Sequence, residues 1–276
     1  MKGMRWADAA TYAVLSIGAA CVALPFLWLL STSLKTRQQI FRFPPEWVPE
    51  PFVWENYVVA LTYQGLPFAR FFANSAFVTV VATIGAVASS ALVAFAFSRL
   101  GWRGRDALFV VVLVTMIFPK EITIIPEFVL FRSFGWLDTF LPLIAPAYFG
   151  QPFFIFLLRQ YMLTISPEMD QAAAIDGCGP WRTFRHIVLP QCAPALMTVG
   201  IFSIQGHWND FLGPLVFLNS IEHFTMNLGL SMFSGQYGTE WGYLMAASTL
   251  AMLPILVLFA VAQKYYIAGI VVTGVK

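Results

Sequence analysis

A largely apolar chain is interrupted by the amphipathic segment Glu168-Met169-Asp170-Gln171-Ala172-Ala173-Ala174-Ile175-Asp176-Gly177. Ser166 can cap a helix at the start of this segment, and Pro167 suits the first helical position. Gly177 can take the left-handed conformation that ends a helix. The pattern therefore predicts a short helix with small and apolar residues on one face: Met169, Ala172 and Ala173.

A second short helix is predicted directly after the first. It can begin at Pro180 and should end before Pro190, because a proline has no N–H group to donate to the preceding turn. Its apolar stripe consists of Phe184, Ile187 and Val188. We therefore predict a compact helix-turn-helix over residues 164–192, which we call the amphipathic loop.

Several residues in and next to the amphipathic loop stand at fixed spacing: Ala172-Ala173, Asp176-Gly177, Phe184, Ile187, Leu189-Pro190 and Pro194. With this spacing the loop resembles the EAA loop in the membrane subunits of ATP-binding-cassette (ABC) importers. That family usually has Glu where this chain has Gln171, and a neutral amide makes a weaker hydrogen bond than a carboxylate. The resemblance implies that the loop couples to a partner ATPase through Met169, Gln171, Ala172, Ala173, Asp176, Gly177 and Phe184.

The composition indicates an integral membrane protein. Of the 276 residues, 59% are hydrophobic and 11% are charged, whereas soluble domains have about 25% charged residues. The mean hydropathy is +0.73. A net charge of +2 without a basic run gives no indication of nucleic-acid binding.

Charge-free windows predict an all-α membrane fold with six transmembrane helices in a single domain, residues 1–276. The helices are predicted at about residues 9–32, 72–98, 107–131, 139–161, 193–218 and 242–263. The amphipathic loop then connects helices four and five. Lys120 and Glu121 interrupt the third helix, so a re-entrant or kinked segment at Pro119 and Pro126 is the alternative there.

The distribution of Lys and Arg predicts the orientation. With both termini in the cytoplasm, ten of the 16 Lys and Arg residues lie inside, which the positive-inside rule favours. Those ten are Lys2, Arg5, Arg99, Arg103, Arg105, Arg159, Arg182, Arg185, Lys264 and Lys276. The amphipathic loop is then cytoplasmic. The longest outside loop, Ser33–Arg70, is predicted to be an ordered cap that either meets an external binding protein or forms an aromatic belt.

Polar residues lie near the middle of the predicted fifth helix, and polar groups at that depth suggest a functional site. One side of this helix carries Gln205, Trp208, Asn209 and Leu212, and the opposite side carries Ser203, His207 and Asp210. Only one side is expected to line a substrate path. An indole beside an amide suits a sugar, and the candidate path residues are Gln205, Trp208, Asn209 and Asp210.

A second resemblance starts from the run Gln205-Gly206-His207-Trp208-Asn209-Asp210-Phe211-Leu212-Gly213-Pro214-Leu215. This run is similar to the WNDF region in the carbohydrate-uptake branch of ABC importers, in particular in the smaller membrane subunit of the maltose system. The carboxyl end agrees through Trp241-Gly242, Met245-Ala246-Ala247, Leu253-Pro254, Gln263-Lys264-Tyr265-Tyr266, Gly269 and Thr273-Gly274-Val275-Lys276.

Together the resemblances imply a multi-pass permease subunit of an ATP-driven, binding-protein-dependent importer of mono-, di- or oligosaccharides in a prokaryotic cytoplasmic (inner) membrane. The implied partners are a second permease subunit in a heterodimer, two copies of an ABC ATPase that bind ATP and Mg, and an extracytoplasmic sugar-binding protein. The chain has no G-x-x-x-x-G-K-[ST] phosphate loop, so we expect it neither to bind ATP by that motif nor to be an enzyme. His186, His207 and His223 lack metal-ligand spacing, so no metal is expected.

Other function classes are separated by features of the sequence. An importer of glycerol phosphate would need Lys or Arg facing the path, and no firmly predicted span contains either. A secondary transporter should show internal repeats and buried carboxylates or broken helices at the midplane. The two halves show no obvious repeat, and Asp210 is the one carboxylate well inside a firmly predicted span. A membrane enzyme would need a reactive constellation of side chains, which the sequence does not show.

Overall fold

A computed structural model of the chain describes residues 6–235 and 238–271, and these are mostly helical. Lys2, Arg5 and the run Thr273-Gly274-Val275-Lys276 lie outside the described residues. Their contribution to the orientation and to the second resemblance therefore stays a prediction.

The chain divides into two compact units. The first consists of Met1–Phe68 and Gly229–Leu253, and the second consists of Ala69–Leu228 and Pro254–Lys276. The amphipathic loop and the predicted path residues all belong to the second unit.

The first unit contains a long apolar helix followed by a structured cap. Its elements are α1 (Trp6–Ser33), α2 (Arg37–Ile40), α3 (Glu55–Thr62) and a small antiparallel ribbon of β1 (Ser234–Gly235) and β2 (Gly238–Thr239). The Asn56 side chain donates hydrogen bonds of 2.9 Å to the carbonyls of Ser33 and Lys35, and Lys35 Nζ lies 3.9 Å from the centroid of the Trp28 ring. The cap after α1 is ordered, as the sequence predicts.

The second unit is built on three helices that share a core. The helices are α4 (Phe68–Arg99), α8 (Pro152–Thr164) and α12 (Ala193–Trp208), and their buried faces include Ala82, Ala86, Leu158, Met162 and Val199. The other helices in this part of the chain are α5 (Arg105–Thr115), α6 (Lys120–Ser133), α7 (Leu141–Ile144), α9 (Glu168–Ile175), α10 (Pro180–Thr183), α11 (Leu189–Gln191) and α13 (Leu212–Phe217). The helices α14 (Met226–Leu230) and α15 (Trp241–Val271) complete the described fold.

Four helical segments are long and apolar enough to cross a membrane: Ala10–Ser33, Phe68–Arg99, Leu141–Thr164 and Trp241–Gln263. Two bent helix pairs, Arg105–Thr115 with Lys120–Ser133 and Pro180–Gln191 with Ala193–Trp208, bring the number of candidate spans to six if each pair crosses as one. The all-α membrane fold that the composition predicts is therefore confirmed.

The predicted third helix, residues 107–131, is two helices and not one. α5 ends at Thr115, α6 begins at Lys120, and their axes differ by 98°. Pro119 explains the break, because the residue before a proline is pushed out of the helical region. Pro126 lies within α6 without ending it. The kink that the sequence offers as the alternative is thus located at Pro119.

The predicted fifth helix, residues 193–218, is also broken. α12 ends at Trp208 and α13 begins at Leu212. In an uninterrupted helix the ring of Pro214 would clash with the carbonyl of Asp210, four residues earlier, so the chain leaves the helical path there. The break places the Asp210 side chain between two helix ends.

Small residues of α4 allow a close approach by the segment that leads into α8. A Cβ atom on Gly85 would lie 2.4 Å from ring carbons of Tyr148, and the Tyr148 hydroxyl donates to the Val81 carbonyl at 3.2 Å. The Ser89 hydroxyl donates to the Ala147 carbonyl at 3.1 Å. Close packing therefore accounts for Gly85 and Ser89.

Asp138 fastens two loops of the second unit together. Its Oδ1 atom accepts hydrogen bonds from the N–H groups of Asn219 (2.9 Å) and Ser220 (2.8 Å), and His223 Nδ1 lies 3.3 Å away. The hydrogen bonds from Ser220 hold the pKa of the Asp138 carboxyl well below its usual range.

Candidate functional site

The first helix of the amphipathic loop, α9, is capped at both ends. At its start the Ser166 hydroxyl accepts a hydrogen bond of 3.3 Å from the Glu168 N–H group. At its end Gly177 has a φ of +75°, and the N–H groups of Gly177 and Cys178 donate to the Ala174 and Ala173 carbonyls at 3.1 and 2.8 Å. This pair of bonds is a Schellman motif, which glycine completes without strain.

The sequence predicts that the second helix of the loop ends before Pro190, and this prediction is wrong. The helix runs from α10 through a π-helical turn, Phe184–Val188, into α11, which contains Pro190. In the π-helical turn the Leu189 N–H group donates to the Phe184 carbonyl, five residues back. The wider turn changes the backbone hydrogen bonds just before Pro190. The chain stays helical past Pro190 and bends by 78° only at Cys192, where α12 starts.

Two of the predicted coupling residues hold the loop against the core. Ala173 is 3% exposed and Phe184 is 5% exposed. The Phe184 ring centroid lies 5.0 Å from that of Phe95 on α4 and 5.6 Å from that of Trp181. The remaining predicted coupling residues are exposed on the outer side of the loop: Met169, Gln171, Ala172, Asp176 and Gly177.

Two exposed apolar residues on the loop were missed by sequence reasoning. Ile175 is 87% exposed and Trp181 is 60% exposed. Ile175 follows Gln171 and Ala172 by four and three residues, so helical spacing puts it on their face of α9. That spacing could have identified Ile175. The exposure of Trp181 could not be inferred from spacing, because it depends on how the two short helices meet.

Arg99 connects the amphipathic loop to two other helices. The side chain of this last residue of α4 is 8% exposed, and its Nη1 atom lies 2.9 Å from Asp170 Oδ2 on α9. Its Nη2 atom donates to the carbonyls of Met162 (2.7 Å) and Ile165 (2.8 Å), at the end of α8. One guanidinium group thus joins the ends of α4 and α8 to the start of α9.

A polar cavity of about 880 Å³ lies beside the two broken helices. Lys120, at the start of α6, and Asp210, between α12 and α13, line it, with 3.2 Å between Lys120 Nζ and Asp210 Oδ2. Asp210 Oδ1 also accepts a hydrogen bond of 3.2 Å from the Gly213 N–H group. Further polar lining residues are Thr123, Glu127, Gln151 and His207. The ion pair therefore balances the Lys120 charge inside the cavity.

The predicted path residues are not brought together by the fold. Asp210 lines the polar cavity, whereas Gln205 and Asn209 are exposed and do not line it. Trp208 is 6% exposed, with its ring packed edge-on to Phe72 at 5.3 Å. His207, which the sequence places on the same side of the helix as Asp210, lines the cavity with it.

A family model described as the binding-protein-dependent transport system inner membrane component matches residues 83–271. This range includes the amphipathic loop and the residues of the polar cavity. The chain belongs to this family.

Curated relatives of this inner membrane component match it along nearly its whole length. The arabinooligosaccharides transport system permease protein AraQ of Halalkalibacterium halodurans is 33% identical over 269 residues, covering 95% of this chain and 96% of the relative. The diacetylchitobiose uptake system permease protein NgcG of Streptomyces coelicolor is 31% identical over 269 residues, covering 96% and 88%.

A solved structure has the same fold as this inner membrane component. It is the crystal structure of a bacterial ABC transporter involved in the import of the acidic polysaccharide alginate. The superposition has a TM-score of 0.82, with 22% sequence identity, and covers 96% of this chain and 98% of the other.

Two cations that organise the candidate sites of this inner membrane component were not singled out from the sequence. Arg99 entered the sequence argument as one of the inside charges, and Lys120 as an interruption of the third helix. Their partners Met162 and Asp210 are 63 and 90 residues away along the chain, so no local spacing could have found them. Within residues 6–235 and 238–271, no group of three His, Cys, Asp or Glu side chains is placed to hold a metal ion.

Proposed function

We propose that the chain is the membrane-spanning permease subunit of an ATP-driven, binding-protein-dependent importer of sugars. The amphipathic loop carries this proposal. Its inner residues Ala173 and Phe184 are buried, and its outer side exposes Ile175, whereas Trp181 is exposed where it lines an apolar groove with Phe184. Exposed apolar residues with a polar rim are the usual composition of a protein interface. The surface is the docking site of the partner ATPase.

The energy for transport comes from two copies of an ABC ATPase subunit, which bind ATP and Mg. The loop transmits their motion as a rigid body, because α9 is capped at both ends and Phe184 is packed against Phe95. The helices on either side of the loop, α8 and α12, reorient with it. The substrate path then opens outward when the ATPases close on ATP, and it opens inward after hydrolysis.

A second permease subunit completes the path in a heterodimer. An apolar groove of about 840 Å³ on the second unit supports this part of the proposal, because a membrane helix of another subunit can fill it. Residues from α4, α12 and α15 line the groove, among them Ile84, Val87, Leu196, Met197 and Val261. Residues 10–31 of α1 are likewise not buried by this chain.

The cargo is an uncharged mono-, di- or oligosaccharide. Relatives over the whole length are named for the transport of arabinooligosaccharides and diacetylchitobiose. An importer of glycerol phosphate needs a cation free to meet the phosphate, whereas Lys120 in the polar cavity is paired with Asp210 and shares the cavity with Glu127. A hydroxyl-rich neutral cargo suits this lining better than an anion.

The permease lies in the cytoplasmic membrane of a prokaryote with both termini in the cytoplasm. This orientation puts the amphipathic loop and Arg99 on the side where ATP is available. The cap formed by Ser33–Arg70 is then outside, where an extracytoplasmic sugar-binding protein can reach it.

The experiment that tests the proposal is co-expression of the tagged chain with its neighbouring genes, followed by purification and ATPase assays in lipid. We expect a second membrane subunit and an ATPase to co-purify, and a sugar-loaded binding protein to raise hydrolysis. The variant Ile175→Asp should weaken ATPase binding by at least tenfold, because it places a charge in the apolar docking surface.

The matched control is Val48→Asp, which adds the same charge at a position in the cap that is 65% exposed. This variant should retain the ATPase. The proposed function would be contradicted if the chain purified alone and its transport followed a proton or sodium gradient without ATP.

A further inference from the structure

The geometry around Arg99 points to a clamp between the amphipathic loop and the helices of the second unit. Its guanidinium group bonds at once to Asp170 in the first turn of α9 and to the Met162 and Ile165 carbonyls at the end of α8. Arg99 itself ends α4, a helix of 32 residues. Among the described residues, no other ion pair links the amphipathic loop to the rest of the second unit.

The chemistry of the clamp requires arginine. A guanidinium group presents several N–H donors in a fixed planar arrangement, so it can satisfy a carboxylate and two carbonyls together. The Met162 carbonyl also accepts the Ile165 N–H group at 3.2 Å, and carbonyls at the end of a helix carry partial negative charge that favours a cation. A lysine ammonium keeps the charge, but from one point it cannot hold all three acceptors in this arrangement.

Burial makes the clamp hard to open. The Arg99 side chain is 8% exposed, and Asp170 Oδ1 is buried without a hydrogen-bond partner among the described residues. Pulling α9 away from α4 would break a partly buried ion pair and leave the buried guanidinium without its carboxylate partner, which costs more than moving the elements together. A force applied to the amphipathic loop is therefore carried into α4 and α8.

We propose that Arg99, held by Asp170, is the positioning residue that carries movement of the amphipathic loop into α4 and α8. This inference rests on the proposed function and adds the route by which motion leaves the loop. The Asp170–Arg99 pair links the loop to α4, and the Arg99 bonds to the Met162 and Ile165 carbonyls link both to α8.

The test uses the assembled complex in lipid and measures sugar transported per ATP hydrolysed. Asp170→Asn keeps the shape of the side chain but removes its charge, so we expect assembly and basal hydrolysis to persist while transport per ATP falls at least fivefold. Asp170→Glu retains the charge and should stay within twofold of the natural chain. Arg99→Lys should lower the ratio about as much as Asp170→Asn.

The control is Arg103→Gln, which removes an exposed cation four residues after Arg99 and should leave the ratio unchanged. The double variant Arg99→Gln with Asp170→Asn should be no worse than Arg99→Gln alone, because the two residues act as one unit. If Asp170→Asn fails to assemble, the Arg99→Lys complex decides the matter by the same ratio.

The clamp would be overturned, and the proposed function left intact, if Asp170→Asn and Arg99→Lys transported as much sugar per ATP as the natural chain. Additive losses in the double variant would overturn it as well. If the natural complex itself shows no sugar-dependent hydrolysis, the proposed function fails and the clamp fails with it.

Discussion

Gly177 is the residue whose backbone decides where α9 stops. Its φ is +75°, and no atom lies within 4 Å of the position that a Cβ would take. An alanine would therefore be strained by the left-handed conformation, at a cost of about 1–2 kcal/mol, and not by a clash within this subunit. We predict that Gly177→Ala lowers sugar-stimulated ATPase activity several-fold in the lipid-embedded complex.

The control for Gly177→Ala is Gly177→Asn, because asparagine tolerates left-handed φ better than other residues with a Cβ. The asparagine variant should keep most of the stimulation. An equal loss in both variants would show that the partner contacts this surface directly, and that the backbone conformation is not the cause.

Gln171 is the exposed position where the EAA family usually has Glu. A carboxylate accepts a stronger hydrogen bond than an amide from a cationic or backbone donor. We predict that Gln171→Glu tightens binding of the ATPase by about fivefold, which corresponds to about 1 kcal/mol. Titration of the ATPase onto the permease in lipid at two salt concentrations measures this effect.

The gain from Gln171→Glu should shrink at high salt, because exposed charges are screened. Glu168→Gln, which alters a neighbouring carboxylate of α9, tests whether any charge on the helix suffices. If the Gln171→Glu variant bound the ATPase more weakly, the ATPase would have no cationic or backbone donor opposite this position.

The helix elements show why proline positions alone do not locate breaks. Pro119 and Pro214 coincide with breaks, whereas α6 contains Pro126 and the helical path continues past Pro190. At Pro190 the preceding π-helical turn rearranges the hydrogen bonds. At Pro214 the freed Asp210 gains Lys120 and the Gly213 N–H group as partners. Whether a break persists thus depends on contacts from elsewhere in the chain, which a local sequence pattern does not contain.

The two broken segments are joined by the Lys120–Asp210 pair. The Lys120 side chain is 55% exposed and that of Asp210 is 22% exposed, so solvent screens part of their attraction. We predict that Asp210→Asn lowers the melting temperature of the complex by a few degrees and reduces sugar transport. The same measurements on Lys120→Met and on the double variant Lys120→Met with Asp210→Asn should give a coupling free energy of about 1 kcal/mol between the two residues.

The double variant should be less impaired than the sum of the single variants, because neither charge is then left alone in the polar cavity. The control is Thr115→Val, which alters another lining residue whose hydroxyl donates to the Val112 carbonyl and not to the pair. Strictly additive losses would show that the two helix breaks are held by other contacts.

At the scale of the whole molecule, the sequence predicts the first helix of the amphipathic loop because its caps and its glycine are local, whereas the predicted end of the second helix before Pro190 is wrong. The sites that depend on distant partners were not predicted: Arg99 with Asp170, and Lys120 with Asp210. Trp208 was predicted to line the path, but its side chain is buried against Phe72. A wheel sorts the residues of α12 into sides, but the contact with Phe72 on α4, which decides that Trp208 is buried, lies outside the helix.

The central claim is that the amphipathic loop is the surface on which the ATPase docks. The most direct measurement is disulfide or bifunctional crosslinking from single cysteines in a background where Cys21, Cys178 and Cys192 are replaced by serine. Ile175→Cys, at a position 87% exposed on the loop, should crosslink to the ATPase subunit, and ATP should change the yield. Phe43→Cys, at a position 91% exposed in the cap, should not. A crosslink from Phe43→Cys and none from Ile175→Cys would contradict the account.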